Sequence, residues 1–303
     1  MPSISKKSRR KISPHNLTVK KFKREQCSPA VLGNPEQFSC YSVGVIEHMK
    51  KLWNIKHPDD VITATDQYNI WDNLRKRFAN VCDTERCWMR QKFVKGKIDS
   101  DIMKYTFAPD APKSWSSSPN TWLSSNEITS VMKHFEKNFS QFVFIGPSPI
   151  DFDTLHFDGK CVWNELCNFN LSKMLAKRKK KIGIILNTDK HTNAGEHWIS
   201  MFIDMTSQPH PYVFYFDSVG DPIIQEVQVL VDRIIEQAKV LGIDMKFYQN
   251  DKEHQKGTTE CGMYSLFLII EILTGRKDYN YFLQNRVPDK SMKDFRNIYF
   301  NFK

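Results

Sequence analysis

The apolar positions change their period part-way along the chain. In "PEQFSCYSVGVIEHMKKLWNI", Val43, Ile46, Met49, Lys50 and Trp53 recur at helical spacing, as do Tyr68, Trp71, Leu74 and Phe78 in "DQYNIWDNLRKRFANVC". Together they predict a small helical domain over residues 31–107. "APDAPKSWSSSPNTW" follows, rich in Pro and Ser, and reads as a linker over 108–118. In "TWLSSNEITSVMKHFEK" a further helix is opened by a capping box, with Ser124 or Ser125 ahead of Glu127. Then "QFVFIG", "IGIILN", "HWISMFIDM", "YVFYFDS" and "IDMKFYQ" are short apolar runs bounded by turn residues, which predict buried strands. Before the last of them, Ile223, Val227, Leu230, Ile234, Ala238 and Leu241 mark one helix face, and Gly242 fits its C-terminal cap. "CGMYSLFLIIEILTG" is apolar nearly all round and too long for a strand, so it predicts a buried helix beginning at Cys261. The pattern over 119–303 is α+β, a mixed β-sheet packed against helices, preceded by the small helical domain.

Composition narrows the class. A chain of 303 residues with 40% hydrophobic and 13% aromatic content builds one large or two ordinary globular domains. No apolar run is long enough to span a bilayer, and the basic start lacks the apolar stretch of a secretory signal. Charge is concentrated at that start: nine of the lysines and arginines fall in residues 1–24 with no acidic residue, against a net charge of +10 for the whole chain. Residues 1–30 therefore read as a basic, disordered tail. Lys6, Lys7, Arg9, Arg10 and Lys11 are candidates for binding nucleic acid or an acidic surface, or for a nuclear-import address. Seven irregularly spaced cysteines argue against a disulfide framework and for a reducing compartment. Cys82 and Cys87, or Cys161 and Cys167, are too widely spaced for the usual zinc knuckles and read as structural thiols, so neither metal nor cofactor is expected.

The candidate chemistry gathers at Cys261. Thr258 or Thr259 is placed to cap the helix it opens, and a thiol at a helix N-terminus meets free backbone N–H groups and the positive end of the dipole. These favour thiolate, the form that attacks a carbonyl carbon. The same N–H groups, with the amide of Gln255 six positions earlier, suit a developing oxyanion. Gly262 lacks a Cβ that would hinder a substrate backbone. Among nine histidines, His197 is best placed as base, at the start of a buried strand after the polar loop "DKHTNAGE", and Asp217 ends the next strand. His191 reads as a solvated loop residue, and His254 has no evident carboxylate partner.

"GEHW" at 195–198, "YFDS" at 215–218 and "QKGTTECG" at 255–262 resemble the ubiquitin-like-protein-specific protease family, which includes the adenovirus proteinase. "TWLSSNEI" at 121–128 is similar to the Trp-Leu element that opens its protease domain. "SCYS", "VCDTERCW" and "LNTDKHTNAGEHWISMFIDM" resemble more closely the polyprotein-processing branch found in nucleocytoplasmic large DNA viruses, such as African swine fever virus and the giant amoebal viruses. Glu260 departs from the Asp that many SUMO proteases carry before their cysteine. The resemblance implies the ubiquitin-like-protease fold and a thiol peptidase with Cys261 as nucleophile, His197 as general base and acid, Asp217 orienting it, and Gln255 with the Cys261 N–H as oxyanion hole. It further implies Trp198 over a narrow, glycine-fitting channel, cleavage after Gly-Gly in viral polyproteins, and action as a monomer in the virion and host cytoplasm, with nuclear entry through the tail an open option. Two alternatives stand beside it: an isopeptidase removing SUMO or ubiquitin-like modifiers from host proteins, and a nucleic-acid-binding virion protein with an inactive protease fold.

Overall fold

A computed structural model of the chain describes residues 21–31 and 38–302. Most of the basic tail, with Lys6, Lys7, Arg9, Arg10 and Lys11, lies outside the described residues. The rest divides into two compact units, residues 21–25 with 38–103 and residues 26–31 with 104–302.

The first unit is helical. Helix α1 (Val43–Lys56) packs on α2 (Gln67–Phe78), followed by the short α3 (Glu85–Trp88). Their buried stripes are Val45, Ile46, Met49, Leu52 and Trp53, then Ile70, Trp71, Leu74 and Phe78. Val43 and Tyr68, expected inside, are exposed; each opens its helix, where the neighbours one or two positions on take the core face. Phe78 stacks on Trp88 at 5.5 Å and meets Trp53 edge-on at 5.4 Å. Glu85 is buried among these rings and accepts from Ser39 Oγ (2.5 Å), Trp71 Nε1 (2.6 Å) and the Cys40 N–H (3.1 Å). Burial raises its carboxyl pKa, and the three donors only partly counter this. Helix α4 (Ser100–Tyr105) runs across the division between the units.

The second unit is a five-stranded mixed sheet with helices on both faces. In chain order it comprises α5 (Ser125–Asn138), β1 (Phe142–Pro149), α6 (Asn164–Cys167), α7 (Leu171–Ala176), β2 (Lys181–Asn187), β3 (Trp198–Asp204), β4 (Tyr212–Phe216), α8 (Gln225–Val240), β5 (Lys246–Gln249), α9 (Cys261–Leu273), α10 (Tyr279–Gln284) and α11 (Asp289–Tyr299). Strands lie in sequence order; β1/β2 and β4/β5 are parallel, while β2/β3 and β3/β4 are antiparallel. Along β3, Trp198 and Phe202 face the layer containing α9, whereas Ile199, Met201 and Ile203 face α8. Both faces are covered, so the strands read as unbroken apolar runs rather than alternating ones. Helix α9 is buried along its whole length, packed on β3, α5 and α11, which explains an apolar character all round.

Two expectations are corrected. The stretch 108–118 is not a bare linker: it carries a 3₁₀ turn at Lys113–Ser116, and Trp115 is buried against Phe300 at 5.0 Å. Nor are six of the cysteines free thiols: Cys82 pairs with Cys87 and Cys161 with Cys167 as disulfides, and Cys27 and Cys40 are disulfide-bonded as well. Each of the first two pairs is close in sequence and joined by a tight turn, geometry that spacing alone does not reveal. Cys261 is the free cysteine among the described residues.

Candidate active site

His197 stands one residue before β3 and Asp217 one residue after β4. The strands are antiparallel, with Ser200 opposite Phe216, so both side chains emerge at one end of the sheet. There His197 Nε2–H donates to Asp217 Oδ1 at 2.8 Å, and the Val219 N–H donates to the same oxygen at 2.9 Å. With Nε2 committed to the carboxylate, Nδ1 is the nitrogen left for Cys261, which is close enough to act on the imidazole's protonation. Burial works to lower the imidazole's pKa. The hydrogen bond to the Asp217 carboxylate and its charge, with the neighbouring Cys261 acting in the same direction, override it and raise His197 from 6.5 to about 10. The ring therefore holds its proton at neutral pH.

Cys261 begins α9 and is 2% exposed; the His197 side chain, at 22%, is the more open member of the pair. The first helical bond runs from the Tyr264 N–H to the Glu260 carbonyl, so the N–H groups of Cys261, Gly262 and Met263 precede the ladder. No side chain caps this helix, contrary to the expectation for Thr258 or Thr259. Instead the N-cap residue Glu260 turns its carboxylate inward to Arg296 Nη2 at 3.1 Å, both groups being almost wholly buried.

The amide of Gln255 is held from both ends. Its Oε1 accepts from Ser218 Oγ at 2.8 Å, and its Nε2 donates to the Gly257 carbonyl at 2.7 Å. Asn250 grips the backbone of Asp217, accepting from its N–H at 2.9 Å and donating to its carbonyl at 2.7 Å. Ser218 and Asn250 escaped the sequence reasoning because their partners lie 37 and 33 residues away.

A groove of about 470 Å³ is lined by Trp122, Leu123, Asn187, His191, Gly195 and Trp198 among others, and it reaches the cluster through Trp198, which follows His197 in the chain, rather than through the four residues themselves. Trp198 donates from Nε1 to the Leu123 carbonyl (2.9 Å), and Trp122, 43% exposed, donates to the Thr258 carbonyl (2.7 Å). Gly262 works differently from expectation: a Cβ there would lie 2.9 Å from Leu123 Cβ and 3.1 Å from Trp198 Cδ1. Its bare Cα lets the groove walls close on the helix; it is not itself an open approach for substrate. Gly195, at φ +90°, faces Asn187, which a Cβ would crowd at 3.0 Å. His191 is not simply solvated but pairs through Nδ1 with Asp151 Oδ2 at 2.6 Å. His254 is fully buried; its Nε2–H donates to the Phe282 carbonyl (3.1 Å), and its Nδ1 accepts from the Val287 N–H (3.1 Å).

A thiol at a helix N-terminus, an imidazole oriented by a carboxylate and a fixed amide form a set suited to nucleophilic acyl transfer. Comparison with known proteins agrees. Residues 116–302 match the Ulp1 protease family, C-terminal catalytic domain. A chain of Acanthamoeba polyphaga mimivirus described as a thiol protease is 26% identical over 285 residues, covering 88% of this chain and 90% of that one. A cysteine protease of African swine fever virus (isolate Tick/Malawi/Lil 20-1/1983) is 25% identical over 263 residues, covering 80% and 92%. The crystal structure of an African swine fever virus protease shares the fold, with a TM-score of 0.62 at 19% identity over 92% of this chain and 96% of that one. The chain belongs to the Ulp1 protease family and is a cysteine peptidase.

Proposed function

We propose that this peptidase cleaves viral structural polyproteins after Gly-Gly during virion maturation. The His197–Asp217 bond of 2.8 Å, with Cys261 at the start of α9 acting on the same ring, carries the reading. In it, Cys261 Sγ attacks the carbonyl carbon of the second glycine, and the oxyanion is met by the Cys261 N–H and Gln255 Nε2. His197 gives its proton to the departing amine, leaving a thioester on Cys261. It then takes a proton from water, whose oxygen attacks that thioester and frees the glycine carboxylate and the thiol. A nucleophile residue only 2% exposed beside close-set walls supports a slender substrate, since glycine alone brings no Cβ into such a slot. Incubating the chain with Gly-Gly-X peptides should release the X-side product. Cys261→Ala should reduce turnover by several orders of magnitude, and undiminished cleavage by that variant would end the proposal.

A second reading, removal of a ubiquitin-like modifier, is favoured by the name of some relatives: African swine fever virus proteins, that of the Pig/Kenya/KEN-50/1950 isolate among them, bear the name SUMO-1 cysteine protease. A SUMO probe with an electrophilic C-terminus separates the two. Fast labelling of Cys261 by the folded probe, with poor cleavage of short Gly-Gly-X peptides, would favour modifier removal.

A further inference from the structure

The loop that carries Gln255 is suspended from two carboxylate oxygens that belong to another helix. Asp289, the first residue of α11, accepts the Gly257 N–H on Oδ2 at 3.0 Å and the Lys256 N–H on both oxygens at 3.2 and 3.3 Å. Its Oδ1 also accepts from Tyr264 Oη at 2.8 Å, and Tyr264 lies one turn into α9 from Cys261. Asp289 therefore joins the helix that presents the thiol to the loop that presents the amide.

The chain of contacts continues to the amide itself. The two N–H groups bound by Asp289 fix the peptide planes on either side of Lys256, and the carbonyl of the peptide that follows, that of Gly257, takes one hydrogen of Gln255 Nε2. Ser218 Oγ–H holds the other end of the amide at Oε1, while the Gly257 carbonyl, which can only accept, settles which end is nitrogen. Of the two Nε2 hydrogens, one is used by Gly257 and the second is left for an oxyanion. Ser218, 1% exposed, directly follows Asp217, so the clamp on the amide and the support of the imidazole share one turn.

We infer that Asp289 and Ser218 are positioning residues for the oxyanion hole, acting on turnover through the Gln255 amide rather than on the reactivity of the thiol. The inference rests on the reading of Gln255 as an oxyanion donor. A preorganised donor contributes because it need not reorganise as charge develops, and loss of one such donor costs about 10²–10³ in rate. An amide left in place but free to turn should forfeit part of that.

The test is a mutant cycle in the full chain. Asp289→Ala, Asp289→Asn, Ser218→Ala and Gln255→Ala are assayed singly, and the first three again in the Gln255→Ala background, on a Gly-Gly-X peptide. The expected single effects for Asp289→Ala and Ser218→Ala are a fall in kcat of about tenfold or more, with KM within about twofold. Asp289→Asn keeps one acceptor oxygen and should fall less. On the Gln255→Ala background each should add less than about threefold. Alkylation of Cys261 by iodoacetamide, which develops no oxyanion, should stay within about twofold of the parent in every variant. Full additivity on an impaired Gln255→Ala background, or alkylation falling in step with kcat, would overturn the positioning role while leaving Gln255 its own. If Gln255→Ala leaves kcat unchanged, the oxyanion reading fails and the inference with it. Should Asp289→Ala not fold, Asp289→Asn and Ser218→Ala complete the cycle.

Discussion

At position 262 a single hydrogen in place of a side chain decides how closely Leu123 and Trp198 approach the helix that Cys261 begins. Two effects oppose each other in Gly262→Ala. Alanine gains about 1 kcal/mol of helix propensity over glycine. Against this, the new methyl would sit 2.9 Å from Leu123 Cβ, an atom next to the backbone that cannot swing aside, and overpacking costs about 1–3 kcal/mol. The clash wins, so the variant should lose up to about 2 kcal/mol in urea unfolding and show a raised KM as Trp198 is displaced. A variant as stable and active as the parent would mean that the walls yield. The thiol, imidazole, carboxylate and amide were legible in the sequence because each sits in a short, ordered motif. Asn250, Ser218 and Asp289 were not. Their work is done on backbone and side-chain atoms of distant segments, and an Asn, Ser or Asp of that kind looks like any turn residue until the chain is folded.

Among the elements, the five strands and the helices α5, α8 and α9 follow from apolar period and capping, and the box expected at Ser124 or Ser125 with Glu127 is present, with Ser124 as the cap. What the pattern did not disclose is the irregular stretch between β5 and α9, which contains no periodic signal yet holds Gln255. His254 organises it. Its neutral ring bridges the Phe282 carbonyl and the Val287 N–H, and thereby sets Asp289 against Gly257. Burial, the largest influence, drops its pKa from 6.5 to about 4. Between those values the unfolded chain binds the proton and the folded chain does not. The stabilisation is therefore whole above pH 6.5 and is lost as pH falls towards 4, a change of about 3 kcal/mol. His254→Gln, which keeps a donor for Phe282 but has no group titrating in this range, should be less stable than the parent at neutral pH. That difference should shrink steadily when urea unfolding is repeated down to about pH 4.5. A gap that stays constant with pH would show that His254 is not the titrating group.

For the molecule as a whole, the boundary between units was the hardest thing to see in the sequence, and the reason is physical. Pro and Ser around Trp115 are local signals of a break, but the partners that bury Trp115 lie at the other end of the chain. Phe300 meets its ring at 5.0 Å, and the Arg296 guanidinium lies 4.4 Å from its centre. Asn301 ties three segments together, donating to the carbonyls of Gln26 (3.1 Å) and Ala108 (2.9 Å) from its side chain and to that of Pro109 (2.7 Å) from its N–H. The peptidase unit thus begins before the Trp122–Leu123 motif, with contributions from residues 26–31 and 104–118. The contact also reaches the site: the same Arg296 binds the Thr121 carbonyl beside that motif (2.8 Å) and Glu260 beside Cys261 (3.1 Å). If 108–118 were a linker, removing the indole would cost nothing. As part of the core, Trp115→Ala in the full chain should cost about 3–5 kcal/mol in urea unfolding. It should also lower peptidase activity more than a conservative Trp115→Phe does, because Arg296 loses the ring that backs it. Equal stability for Trp115→Ala and the parent would return the segment to the status of a connector, and with it the start of the peptidase unit to residue 119.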